Sequence, residues 1–268
     1  MFLSTFNIFK VGVGPSSSHT MGPMLSALNF LEQLKLQPTH VLDKITKFRG
    51  SLHGSLAFTG VGHHSDRATI LGLLGHDPQT YDRAQADADI LNLEKSNVIH
   101  SHKHFLPNTI HFNPKTDLIF DFDLGKVDLH PNGMQLLALD NNDNVMYKEI
   151  YYSIGGGFIK TEKELLKTQN SDNVYEDVED VPYGFTTSDE MIMMSLASNK
   201  TIAEMKYENE LAVHSKEEVD QGIQEIWNVM DNCIYRGLNN VGILPGGLKV
   251  KRRAMAIHQE LLEEKRIG

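Results

Sequence analysis

Apolar and polar positions recur with two different periods along this chain, and the change of period divides it. After Pro23, the apolar residues Met24, Leu25, Leu28, Leu31 and Leu34 recur near helical spacing, which predicts an amphipathic helix ending around Leu36-Gln37-Pro38. The segment KITKFRGSL reads as a strand. A second helix is predicted after GHHSDRA, with Ser65 as N-cap and apolar Ala68, Ile70, Leu71 and Leu74 running up to Gly75. Between Thr109 and Ile154, the β-forming stretches TIHF, DLIFDF, MQLLAL and VMYKEIYYSI are separated by turn-rich PKTD, HPNG and DNND. Hairpins of this kind build an antiparallel sheet with helices on one face, the architecture expected of this half.

The stretch TQNSDNVYEDVEDVPYGF is acidic and weakly periodic, as suits a linker or an exposed connection. Beyond it the pattern is helical through TSDEMIMMSLAS, TIAEMKYENEL, SKEEVDQGIQEIWNVMDNCIYRGL and KVKRRAMAIHQELLEEKRIG. Thr201 with Glu204, and Ser215 with Glu218, have the spacing in which side chains and backbone N–H groups cap each other at a helix start. The fold expected is α+β over residues 1–180, followed over 181–268 by the beginning of an all-helical domain. About four helices make a poor core, so this second domain reads as incomplete.

Composition narrows the partners. A 268-residue chain with 40% hydrophobic residues can build two cores. Its net charge of −10 supplies no overall field that would gather nucleic acid or an anionic membrane. No apolar run approaches the roughly 20 residues of a membrane span, and MFLSTFNIFK lacks the features of a signal peptide, so a cytoplasmic location is expected. Cys233 is the sole cysteine, which excludes an internal disulfide and a metal cluster held by several cysteines of this chain. With Ile226, Val229, Met230 and Ile234 around it on a helix, it is expected to be buried. The thirteen histidines form no H-E-x-x-H pattern; His100, His102 and His104 alternate as on a strand and read as surface residues. No metal ligand is assigned in this chain. Lys249, Lys251, Arg252 and Arg253 read as a solvated helix start.

The polar motifs carry the chemistry. In VGVGPSSSHTMGP, Gly12 and Gly14 begin a G-x-G pattern, but there is no third glycine and no G-K-[ST] lysine. The stretch also lacks G-x-S-x-G, and adjacency of His19 to Ser17 and Ser18 does not make it their base. Two readings stay open: an anion site at a helix N-terminus, where unpaired N–H groups favour a carboxylate or phosphate, and a plain helix cap. TGVGHHSDRA places His63 and His64 on a turn before a helix, suited either to proton transfer or to an exposed turn. Pro131, Asn132 and Gly133 make a turn, and Gly155, Gly156 and Gly157 allow close backbone approach.

Taken in order, GPSSSHTMGP, GSLAFTGVGHHSDRA, LHPNGM, YYSIGGGFI and GILPGGLKVKRRA resemble the iron–sulfur-dependent L-serine dehydratases, also called L-serine deaminases or L-serine ammonia-lyases. The resemblance covers essentially the whole chain. It implies a β domain, likened to an allosteric substrate-binding domain, followed by a helical catalytic α domain. It also implies conversion of L-serine to pyruvate and ammonia with a [4Fe–4S] cluster held by three cysteines. By this resemblance Ser16, Ser17, Ser18 and Thr20 bind the serine carboxylate, and His19 and His63 line the site in catalytic roles. The family's GHxxD pattern aligns with His63 rather than His64. Asn132, Ser153 and Gly155 to Gly157 are the further substrate-binding candidates. The resemblance places the cluster cysteines beyond residue 268, so this chain is expected to be inactive alone. Its expected partners are L-serine and either a second copy, as a homodimer, or a separate α-domain polypeptide that supplies the cysteines. A serine-binding or regulatory module without chemistry is the alternative.

Overall fold

A computed structural model describes residues 2–14, 16–99, 105–123, 129–169, 181–244 and 249–264. His100, His102, His104, Pro15, the acidic stretch 170–180 and the glycines of LPGGL lie outside the described residues. The chain divides into two compact units. One is built from the described residues between 12 and 169, and the other from residues 2–11, 181–244 and 249–264.

In chain order the elements begin with α1 (Thr5–Ile8), a single π-helical turn (Ser17–Met21), α2 (Gly22–Lys35) and α3 (Thr39–Leu42). They continue with β1 (Lys47–His53), α4 (Gly54–Phe58), α5 (Gly60–His63), α6 (Ser65–Leu73) and α7 (Arg83–Ser96). Strands β2 (Val98–Ile99), β3 (Ile110–His111), β4 (Leu118–Asp121), β5 (Gly133–Leu139), β6 (Val145–Gly155) and β7 (Phe158–Thr161) follow, then α8 (Glu162–Gln169). The second unit holds α1, α9 (Ser188–Ser198), α10 (Ile202–Leu211), α11 (Lys216–Asn239) and α12 (Ala254–Glu263).

The sheet of the first unit runs β2-β3-β1-β5-β6-β7, with β4 also on β1. Its β5, β6 and β7 form an antiparallel meander on β1, as the turn-rich spacers require. Only β3 and β4 run parallel to β1, so the sheet is mixed at that edge. The helix predicted after Pro23 is α2, with proline in its first turn, where a missing N–H costs nothing. Met24, Ala27, Phe30, Leu31 and Leu34 carry its fully or almost fully buried face onto Phe48, Leu136 and Tyr151 of the sheet. Helix α6 packs on α2 so closely that a Cβ on Gly72 would overlap the Met24 carbonyl and the Ala27 side chain.

In the helical unit, both predicted capping boxes form: Thr201 with Glu204, and Ser215 with Glu218. A third, Thr187 with Glu190, starts α9. Among the described residues of this unit, the buried apolar side chains are Phe2, Met205 and Val219. Cys233 was expected to be buried and is exposed; of the apolar residues around it on α11, Met230 and Ile234 are exposed and Ile226 and Val229 half-buried. Residues 2–9 pack within this unit. Glu210, 2% exposed, accepts from the Ser4 hydroxyl at 2.8 Å and from the Thr5 N–H at 2.5 Å. Lys206 donates to the Leu3 carbonyl at 3.0 Å and lies over the Phe2 ring, while Phe6 packs on Gly222 where any Cβ would overlap it. Among the described residues no helix is long and apolar enough to cross a membrane.

Candidate active site

Ser16 is extended, and its side chain accepts from the His19 N–H at 3.2 Å, so it is an N-cap. The turn that follows is widened: the Met21 N–H reaches back five residues to the Ser16 carbonyl at 3.3 Å. Gly12 and Gly14 are explained by packing, because a Cβ at either would overlap Met21 or Thr20. Ser17 is exposed, Thr20 is buried, and Ser18 and His19 are half-buried.

The His19 ring is held on both sides. Its Nδ1 is 2.8 Å from the Ser18 hydroxyl and its Nε2 is 2.9 Å from the Ser55 hydroxyl at the start of α4. The Ser65 hydroxyl donates to the His19 carbonyl at 2.5 Å. Ser65 was expected to cap α6; instead His64, in the left-handed region at φ 56°, occupies the cap position. Ser65 lies in the first turn with its hydroxyl committed to His19. Burial, and next the neighbouring His63, hold the His19 imidazole below its ordinary pKa, against the opposing effect of the Ser55 backbone. At neutral pH it is therefore uncharged.

His63 ends α5, and its ring centroid is 4.9 Å from that of His19. Its Nδ1 lies 2.9 Å from the Thr59 carbonyl. A carbonyl can only accept, so Nδ1 carries the hydrogen and Nε2 keeps its lone pair in the neutral ring. The Thr20 hydroxyl donates to the His63 carbonyl at 3.0 Å, tying the two histidine turns together. His64 turns its Nε2 into a buried position with no hydrogen-bond partner among the described residues.

The other motifs close a circuit. The Ser55 N–H donates to the Pro131 carbonyl at 2.7 Å. Asn132 exchanges bonds with Ser153: its side-chain amide donates to the Ser153 carbonyl at 3.1 Å, and its carbonyl accepts from the Ser153 N–H at 3.0 Å. The Ser153 side chain, 1% exposed, presses against Gly22, and its hydroxyl has no partner among the described residues. Gly155, Gly156 and Gly157 all have positive φ and form the β6–β7 turn just beyond a register shift. The structure thus brings Ser16, Ser18, His19, Thr20, His63, Asn132 and Ser153 into one hydrogen-bonded neighbourhood with the N-terminus of α2. Sequence reasoning missed Ser55 and Ser65; both lie inside the quoted motif GSLAFTGVGHHSDRA, but their partner His19 is 36 and 46 residues away.

This neighbourhood offers two imidazoles, hydroxyl donors and a helix N-terminus, a set suited to a carboxylate with a nearby removable proton. It does not fit an iron–sulfur cluster. The chain has one cysteine, exposed on α11 and accepting from Arg236 at 3.4 Å. Among the described residues no group of three His, Cys, Asp or Glu side chains is placed to hold a metal ion.

Residues 4–164 match the family model described as serine dehydratase beta chain, and residues 154–267 match that described as serine dehydratase alpha chain. The chain is 38% identical to L-serine dehydratase 1 of Escherichia coli K12, over 99% of this chain and 56% of that protein. It is 36% identical to an L-serine dehydratase of Streptomyces coelicolor, over 98% of this chain and 56% of the relative. A Helicobacter pylori L-serine dehydratase is also 36% identical, over 96% and 54% respectively. The chain thus spans a little over half the length of the curated relatives it matches.

Proposed function

The chain belongs to the serine dehydratase family, and from that premise we propose that it carries the substrate-binding and proton-accepting part of an L-serine ammonia-lyase, which forms pyruvate and ammonia. The observation that carries this reading is the run of hydrogen bonds from His19 through Ser55, Pro131, Asn132 and Ser153, closed by the packing of Ser153 on Gly22, which draws four separate motifs around His19 and His63. Hydroxyls and N–H groups of Ser16, Ser17 and Ser18 hold the serine carboxylate at the entrance to α2, with Ser153 as a further donor, while Thr20 spends its hydroxyl on the His63 carbonyl and holds that turn in place. Asn132 fixes Ser153, and the Gly155–Gly157 turn keeps that edge of the site free of side chains. His63 Nε2 takes the α-proton, because its other nitrogen is committed to Thr59. The β-hydroxyl leaves with a proton as water, giving aminoacrylate, which tautomerises to the imine; addition of water then releases ammonia and pyruvate.

The [4Fe–4S] cluster of the resembled family finds no ligand set in these residues, and no step is assigned to it here. Any such cluster takes its cysteines from outside the 268 residues. The lone cysteine also favours a second reading, a serine-binding module without chemistry. Calorimetric titration of the full chain tests the binding that both readings share: saturable binding of L-serine, lost with ethanolamine, which lacks the carboxylate, is expected. Equal responses to the two compounds, or none, would overturn it. Iron content and pyruvate formation in protein purified anaerobically from its own cells separate the enzyme from the module.

A further inference from the structure

We infer that Ser55 is a positioning residue that sets the tautomer of His19 and thereby turns the Ser18 hydroxyl into a donor toward the substrate carboxylate; this rests on the serine-binding reading above. The imidazole stands between two hydroxyls, Ser18 at 2.8 Å from Nδ1 and Ser55 at 2.9 Å from Nε2. A neutral imidazole has one N–H and one lone pair, so the row Ser55–His19–Ser18 can run in only two senses. In one, Ser55 donates to Nε2, Nδ1–H donates to Ser18, and the Ser18 proton points outward. In the other, Nε2–H donates to Ser55, and Ser18 spends its proton on Nδ1, leaving only lone pairs for a ligand. A carboxylate accepts and never donates, so only the first sense lets Ser18 bind it.

Ser55 is held in place at the far end. Its backbone is pinned on both sides, N–H to the Pro131 carbonyl at 2.7 Å and carbonyl to the Thr59 N–H at 3.0 Å. Its hydroxyl has His19 as its partner among the described residues. The other acceptor within reach of the Ser18 proton is Ser16 Oγ, at 3.4 Å the long limit of a hydrogen bond and already accepting from the His19 N–H. Burial keeps His19 uncharged at neutral pH, which the two-sense argument requires.

Nitrogen-15 spectra of the full chain, labelled at histidine, read the tautomer directly, with the His19→Gln variant assigning the signals. The wild type is expected to hold His19 as the Nδ1–H form at slightly alkaline pH. Ser55→Ala is expected to give a mixture of tautomers and to weaken L-serine binding about tenfold or more. Ser55→Thr, which keeps the hydroxyl, restores both and also reports if the alanine variant fails to fold. An Nε2–H form predominating in the wild type, a tautomer unmoved by Ser55→Ala, or equal loss of affinity in the alanine and threonine variants would overturn the inference. A wild-type chain that binds no L-serine overturns the substrate reading instead, while the nitrogen shifts decide the sense of the relay by themselves.

Discussion

At Gly22 a methyl group has nowhere to go, because the buried Ser153 side chain already fills its place. Gly22→Ala is expected to cost about 1–3 kcal/mol by overpacking and to weaken L-serine binding, with Ser153→Gly in the same chain relieving most of the loss. Urea unfolding of the single and double variants measures it. His19 gives a pH dependence of known sign. Its folded pKa lies below the ordinary value of 6.5, so the unfolded chain takes up the proton more readily. The stabilisation is present above 6.5 and is lost as pH falls through 6.5 to the lowered folded value. His19→Gln is expected to remove that part of the acid-side decline in the unfolding midpoint. At this scale the sequence carried the identity of His19 and His63 as neighbours of polar motifs. It did not carry Ser55, because a side-chain pair 36 residues apart leaves no local periodicity. Nor did it carry the role of Ser65, since the left-handed turn at His64 displaced the cap by one residue.

Elements were more legible than contacts. Helix α2, strands β1, β5 and β6, and the two expected capping boxes follow directly from apolar spacing and cap residues. The parallel pairing of β4 with β1 does not, because register between distant strands is set by packing rather than by either segment alone. The stripe around Cys233 misled for a related reason: periodicity marks a face able to be buried, and on α11 Trp227, Met230 and Ile234 are exposed. The first helix, α1, owes its place to Glu210, which fills the hydrogen-bonding needs of Ser4 and Thr5. Glu210→Ala leaves these buried groups without an acceptor, at about 1–3 kcal/mol. Hydrogen exchange is expected to speed up at residues 2–9 in that variant and to stay unchanged in the core strands β1 and β5.

For the whole molecule, the cysteine count governs the chemistry. Anaerobic treatment of the isolated chain with iron and sulfide is expected to yield neither the absorbance of a stoichiometric cluster nor pyruvate from L-serine; either one with full stoichiometry would show that one cysteine suffices. Binding of L-serine is expected to persist in the same preparation, since the site residues named above all belong to the sheet unit. The resemblance in the motifs made the family readable from sequence, whereas the joining of the first eleven residues to the unit built from the last ones left no local signal in the chain. That arrangement reaches back to the making of the protein. Ser4 leaves the ribosome 206 residues before the glutamate that holds it, a wait of roughly 10–40 s at ordinary rates of translation. Most of that interval is spent making the sheet unit, which begins to fold around its own core while the amino-terminal segment waits for the residues of α10.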